Sequence, residues 1–464
     1  MTKFVVFPVG IILVVLFAAA VTREPLVALA VVALVAFTLL PKSLVIPTAA
    51  CAIIALMVVF PVQYLKDYGG LARAILFITP VLTLAAFVRA PQALRPARRS
   101  VFLLFGGYGF LLAVSTLSHP GTANADLLWS ALFPALCLTA LLVAAREEQR
   151  RVVEAFVVGL AGIQALYAIV ETSVGLVPLW TSATTDRASQ IIPGLIRAQG
   201  TFAHPLPLAL FCIVALGILL RHRHRVRPLT TVTLSLILTV GLVATGSRSA
   251  LLITAVLFGL SFGRRAWTVT TVAVLSAGIG LTALASLGFF RSASFLNFVG
   301  GDSLSHRSGA FSALPRLIGG QDTLSLLFGN GYFSAPFLFT KGLLQGGSFY
   351  AIDNQLVSSL VETGLLGVLL MIALCVVAFW FAGPYKLLVF AAVAFFFTFD
   401  LLDWPSAATL FALAVSMAGA DRSLPGRVRD GARRGVEDRL APSVPLVDPA
   451  ALNNRERLDD LTVR

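Results

Sequence analysis

The stretch Asp353-Asn354-Gln355-Leu356-Val357-Ser358-Ser359-Leu360-Val361-Glu362-Thr363-Gly364-Leu365-Leu366-Gly367 runs directly into Val368 to Phe381, which carries no charged residue. A helix of about 20 apolar residues, rising 1.5 Å per residue, crosses the hydrocarbon core of a bilayer. The polar segment before it, roughly sixty residues long, is too long for an ordinary connection inside a compact domain. A wet loop therefore ends near Ile352 and a membrane helix begins. An acid and an amide at the mouth of such a helix cost free energy unless they are used, so this boundary is a place to look for chemistry.

The rest of the chain agrees. Hydrophobic residues make up 58% of the 464 positions and charged residues 12%, with a mean hydropathy of +0.91. No soluble core could hide that much apolar surface, so an all-α polytopic membrane protein of about 12–14 transmembrane helices is expected. The apolar runs place spans at 4–21, 25–40, 44–60, 71–88, 100–117, 127–144, 152–176, 205–220, 228–245, 249–263, 266–288, 353–381, 385–402 and 406–419. Short alternating strands are lacking, which argues against a β-barrel. The first span resembles a secretory signal, with Lys3 before an apolar run ending Ala18-Ala19-Ala20, and is expected to be kept as an anchor because more spans follow.

The formal charge of +13 would point to nucleic acid in a soluble protein. Here the arginines collect in alternating short loops: Arg89, Arg95, Arg98 and Arg99; Arg146, Arg150 and Arg151; Arg221, Arg223, Arg225 and Arg227; Arg264 and Arg265. That is the positive-inside pattern, which makes these loops cytoplasmic and leaves no reason to invoke nucleic acid. The expected organisation is N-terminal helices over 1–176, central helices with an outer loop at 177–204 over 177–288, a large extracytoplasmic loop at 289–352, C-terminal helices over 353–420 and a disordered cytoplasmic tail at 421–464. Cys51, Cys137, Cys212 and Cys375 all lie in apolar runs without metal-like spacing and read as core residues.

Three arginines fall on the outer side, where charge bias does not account for them: Arg197, Arg248 and Arg307. Arg248 breaks two apolar runs and has the small neighbours Gly246, Ser247 and Ser249, which leave room for a ligand oxygen. The competing reading is an interfacial arginine reaching lipid phosphate. Three outward guanidinium groups would suit a multiply charged anion, because their forks pair with phosphate oxygens. Asp353, with Asn354 beside it, is the best candidate base, although an aspartate there would serve equally as a helix N-cap. His306 and His204 are outward candidates for acid or base work, with His119 a third. None has metal-ligand spacing, and no metal site is expected. Glu362 reads as a packing or polar-pair residue. Gly329-Asn330-Gly331-Tyr332 reads as a turn, not as a phosphate cradle.

Four pieces of the chain resemble the O-antigen ligase and Wzy-type polymerase superfamily of membrane glycosyltransferases, in the family's order. They are Arg197-Ala-Gln-Gly-Thr-Phe-Ala-His204-Pro205; Thr245-Gly-Ser-Arg248-Ser-Ala-Leu251; His306-Arg307 leading to Phe328-Gly329-Asn330-Gly331; and Asp353-Asn354 through Glu362-Thr-Gly-Leu-Leu-Gly367. The resemblance covers roughly Arg197 to Gly367. It implies a polytopic helical fold with one large extracytoplasmic loop, and transfer of a saccharide from a polyprenyl-pyrophosphate carrier to an acceptor hydroxyl outside the bacterial inner membrane. Carried over by position, Arg197, Arg248 and Arg307 would face the leaving pyrophosphate. Asp353 would be the base, and His204, His306 and Asn354 would line the substrate. Neither metal nor other cofactor is implied, because the donor brings its own leaving group. The implied partners are the lipid-linked saccharide, a growing glycan or lipid acceptor, membrane lipids and a polysaccharide export complex. Ligases of the family commonly have His where this chain has Asp353, so it resembles the polymerase and exopolysaccharide members more. A transporter or flippase for a lipid-linked or small anionic substrate is the alternative reading of the same arginines.

Overall fold

The structure, a computed structural model, describes residues 37, 39–61, 69–92, 96–177, 179–180, 196–223, 225–261, 309–344 and 352–417. These residues are helical with no β-strand. In chain order the α-helices are α1 (Lys42–Val59), α2 (Gly69–Arg89), α3 (Pro96–Ser118), α4 (Ala125–Ala144), α5 (Glu147–Val174), α6 (Pro205–His222), α7 (Pro228–Ala244) and α8 (Arg248–Ser261). Then come α9 (Leu314–Gly320), α10 (Thr323–Phe328), α11 (Ala335–Thr340), α12 (Gln355–Phe381), α13 (Lys386–Ala394) and α14 (Pro405–Ser416). Within α1, α3, α4, α5, α6 and α12 lie six stretches long and apolar enough to cross a membrane, and α2, α7, α8 and α14 are shorter apolar helices. The chain is a helical, multi-pass membrane protein. The spans expected at 4–21 and 266–288 lie outside the described residues, as does most of 25–40.

At the centre is α14, whose every residue is buried. A helix apolar on all sides needs protein on all sides. Here α4 lies along it, with α6, α1 and α13 completing the sheath, while α12 packs on α3 and α5 on α7, α1 and α6. The α5–α7 crossing is close because of Gly241: a Cβ there would come 2.6 Å from the Cβ of Ala165. Small residues at such crossings let backbones approach, a main source of cohesion where lipid is as apolar as the core. Outward faces carry large apolar side chains such as Phe77, Phe110, Leu229 and Leu236.

Several arginines of the basic loops are structural. Arg150, fully buried, donates from Nε and Nη2 to Leu142 O at 3.1 and 3.0 Å and from Nη2 to Ser416 O at 2.7 Å, closing the C-terminal ends of α4 and α14 together. Arg98 donates to Ala145 O at 2.7 Å and Arg223 to Ser261 O at 2.7 Å. Cations on the last carbonyls of a helix satisfy acceptors that have no partner within the helix and match the negative end of its dipole. These contacts gather one end of the bundle, the arginine end, where Arg221 also lies 3.7 Å over the Tyr385 ring.

Two expected spans are broken. The run 353–381 becomes α12, with a kink at Gly364 (φ 65, ψ −167). The carbonyls freed there are met from outside the helix: Asn330 N–H donates to Val361 O at 2.9 Å, and Gly331 N–H and Ser115 Oγ–H donate to Glu362 O at 3.0 and 2.9 Å. Irregular backbone inside a membrane bundle is tolerated only when protein satisfies it in this way. The run 385–402, expected as one span, corrects to a nine-residue α13 followed by 3-10 turns at Phe395–Phe397 and Leu401–Asp403. Asp400 and Asp403 supply the reason, as two acids can enter this depth only on backbone that lets them reach partners.

Candidate functional site

At the end of the bundle away from the arginine loops, four segments meet: 196–204 before α6, the α7–α8 junction, the loop 329–333 after α10, and 398–404 before α14. The first is fixed from beneath. Glu171, buried on α5, accepts the N–H of Gln199 (3.1 Å) and of Gly200 (2.8 Å), while Thr201 Oγ1 donates to Val58 O at 2.6 Å. Gly200 takes φ 56 in the 3-10 turn Gly200–Phe202, a left-handed value that favours glycine. A tight turn therefore joins Arg197 to the following helix, clamped by an acid that sequence reading did not single out.

Arg197 and the Arg248 segment are neighbours. Arg197 Nε donates to Thr245 O at 3.0 Å and Ala198 N–H to Ala244 O at 2.9 Å, so the 196–198 strip lies along the end of α7. Gly246 (φ 64) turns the chain, Ala250 N–H donates to Ser247 Oγ at 3.3 Å, and Arg248 occupies the first position of α8. A guanidinium there stands against the positive end of the helix dipole. An anion beside it would be favoured by both charges. The two small serines are only partly open to a ligand, since Ser247 Oγ also lies 3.4 Å from Ser249 Oγ.

His204 is the N-cap of α6: its Nδ1 accepts the Leu206 N–H at 3.2 Å, which leaves the ring proton on Nε2. Burial, and then the nearby Arg197 charge, push its pKa down to about 3. A neutral imidazole with its acceptor nitrogen occupied makes a poor general base near neutrality. The acid–base role expected for His204 is thus replaced by a capping role, with Nε2–H left as a donor. The ring lies 4.6 Å from that of Trp404, whose Nε1–H donates to Asp400 Oδ1 at 3.2 Å.

Asp400, partly buried, begins a row of carboxyls that continues through Asp403 to the buried Glu362. Asp403 lies within electrostatic reach of Asp400 and Glu362, and Glu362 Oε1 accepts the Phe333 N–H at 2.8 Å. Gln355 braces the row, accepting Leu402 N–H at 2.6 Å and donating to Ser359 Oγ at 3.2 Å.

Asp353 stands half-buried at the mouth of this row, within electrostatic reach of Asp400. It does not cap α12. Asn354 does, its Oδ1 accepting Leu356 N–H at 2.9 Å and Val357 N–H at 3.2 Å, because it is the residue in extended conformation next to the first turn. Asn354 Nδ2 is buried and has no hydrogen-bond partner among the described residues. Arg307 and His306 lie outside the described residues. The Gly329-Asn330-Gly331 turn is backbone packing, since a Cβ on Gly329 would fall 2.2 Å from Glu362 C.

Of the expected set, then, Arg197, His204, Asp353 and the Arg248 segment sit in one connected polar region. Asp400, Asp403, Trp404 and Glu171 were missed. Two acids in Phe395-Phe-Phe-Thr-Phe-Asp400-Leu-Leu-Asp403-Trp404 were the signal, since charge in an apolar run is costly and usually functional. Set against known proteins, the sequence matches no family model and no curated protein significantly.

Proposed function

We propose that the chain is a metal-independent glycosyltransferase of the bacterial inner membrane, joining saccharide units from a polyprenyl-pyrophosphate carrier to an acceptor hydroxyl on the extracytoplasmic face. The observation that carries this reading is one region holding cations at Arg197 and Arg248, a half-buried carboxylate at Asp353, and the unpartnered amide nitrogen of Asn354. The cations suit the departing pyrophosphate, where charge grows as the glycosidic C–O bond breaks. Asp353 suits removal of the acceptor's proton as its oxygen bonds to the anomeric carbon. Asn354 Nδ2–H has an unmet donor for a sugar or phosphate oxygen. The ordered resemblance over Arg197 to Gly367 supports the transferase reading, and Asp353, standing where ligases of the family commonly have His, favours polymerisation over ligation.

The acids Asp400, Asp403 and Glu362 beside interrupted helices favour a second reading, a transporter for a lipid-linked anion, since intramembrane acids and broken helices mark such pathways. A deletion strain complemented with wild type, Arg248→Ala or Asp353→Asn separates the two. Loss of long polymer with single repeat units still reaching the final acceptor supports polymerisation, and full-length polymer held on the carrier supports ligation. Normal glycans in both variants would overturn the enzyme reading.

A further inference from the structure

At the arginine end, outside the site above, a cavity of about 570 Å³ opens between the start of α1, the end of α2 and the start of α5. That is the size range of small-ligand pockets, roughly 300–1,000 Å³. Lys42, Arg89 and Arg146 line it against a single carboxylate, Glu148. Arg89 is held in place by donating to Phe37 O at 2.6 Å. The floor is built: Gln149, buried, donates from Nε2 to Ser43 O at 2.9 Å and accepts the Arg146 N–H at 2.9 Å and Gln92 Nε2–H at 3.3 Å. With its polar atoms so engaged, Gln149 ties α1, α5 and the end of α2 into a fixed wall, leaving recognition to the three cations.

Two further features point the same way. The helices α1 and α5 both begin at this cavity, so the positive ends of two dipoles face it, and Pro41 gives α1 no side-chain cap. Leu44 and Val152, both exposed large apolar side chains, also line it. A soluble anion has no use for that apolar rim, whereas a lipid's acyl chain does.

We propose that this cavity binds the phosphodiester headgroup of an anionic phospholipid, with an acyl chain against Leu44 and Val152. Basic pockets between membrane helices at the positively charged end of a bundle are suited to such headgroups, with each nearby Lys or Arg contributing measurably. The site is independent of the transfer chemistry and would tie the α1–α2–α5 corner to the leaflet.

The full-length protein is purified in mild detergent, delipidated and offered phosphatidylglycerol or phosphatidylcholine, with retained lipid read by native mass spectrometry. Wild type is expected to prefer phosphatidylglycerol, and Lys42→Gln combined with Arg146→Gln to lower its affinity by about thirty-fold. Glu148→Gln, which removes only the opposing charge, is expected to hold phosphatidylglycerol at least as tightly as wild type. That arm keeps the test decisive should the double variant not fold. Equal retention of both lipids by wild type, unchanged affinity in the folded double variant, or weaker retention in Glu148→Gln would overturn the proposal. Displacement of the lipid by millimolar inorganic phosphate would instead assign the cavity to a soluble phosphate.

Discussion

Asp353 and Asn354 are adjacent, alike in shape and both good helix caps, yet the structure gives them separate work. Asn354 Oδ1 holds the first turn of α12. Replacing Asn354 with Ala should lower stability by about 1 kcal/mol, while Asn354→Ser should recover most of it. Asp353→Asn, which touches no cap, should leave the thermal midpoint in detergent unmoved while abolishing long polymer; a comparable loss of stability in Asp353→Asn would mean that its role is structural. His204 allows a pH test whose sign follows from its depressed pKa. Above about pH 6.5 the ring is neutral in both folded and unfolded chains. Below that the unfolded ring takes up a proton which the folded ring refuses until about pH 3. Stability should therefore fall as pH drops through this window, and His204→Gln should flatten the slope of the midpoint against pH.

At the scale of elements, the kink in α12 and the Gly329-Asn330-Gly331 turn are one device. A Cβ on Gly364 would sit 2.4 Å from Leu327 C, and the left-handed φ of 65 there adds strain for any other residue. Gly364→Ala should cost at least the roughly 1–3 kcal/mol of a forced backbone conformation, with further loss from the clash. A wild-type thermal midpoint for Gly364→Ala would show that α12 tolerates a straight path. This device marks the limit of what was legible in the sequence. Apolar runs located the long helices within a few residues, because length and hydropathy are set by the bilayer. The breaks were not legible, because they depend on partners remote in sequence: Glu362 O meets Ser115 and Gly331, and Leu402 N–H meets Gln355 Oε1. Likewise Arg197 was legible as an outward charge, but its clamp through Glu171 onto the 199–200 backbone was not, since nothing local relates α5 to that turn.

For the whole molecule, the two ends of the bundle differ in what their charges do. At one end Arg98, Arg150 and Arg223 bind helix C-terminal carbonyls, and Arg221, Glu147, His222, Glu154 and Tyr385 pair with one another: His222 Nε2 lies 2.7 Å from Glu154 Oε2, Tyr385 donates to the same carboxylate, and Arg221 Nη2 lies 3.6 Å from Glu147 Oε1. At the other end the cations and acids line a common polar region. If the positive-inside rule sets the orientation, the first end faces the cytoplasm and the candidate site faces outward. Single cysteines placed by Glu148→Cys, Gln92→Cys and Asp353→Cys, in a chain with the four native cysteines replaced by alanine, test this with a membrane-impermeant maleimide. In intact cells position 353 should label while 92 and 148 stay protected, and in inverted vesicles the order should reverse. The opposite pattern would put Asp353 in the cytoplasm, where a lipid-linked saccharide already delivered to the outer leaflet is out of reach, and the transferase reading would fall with it.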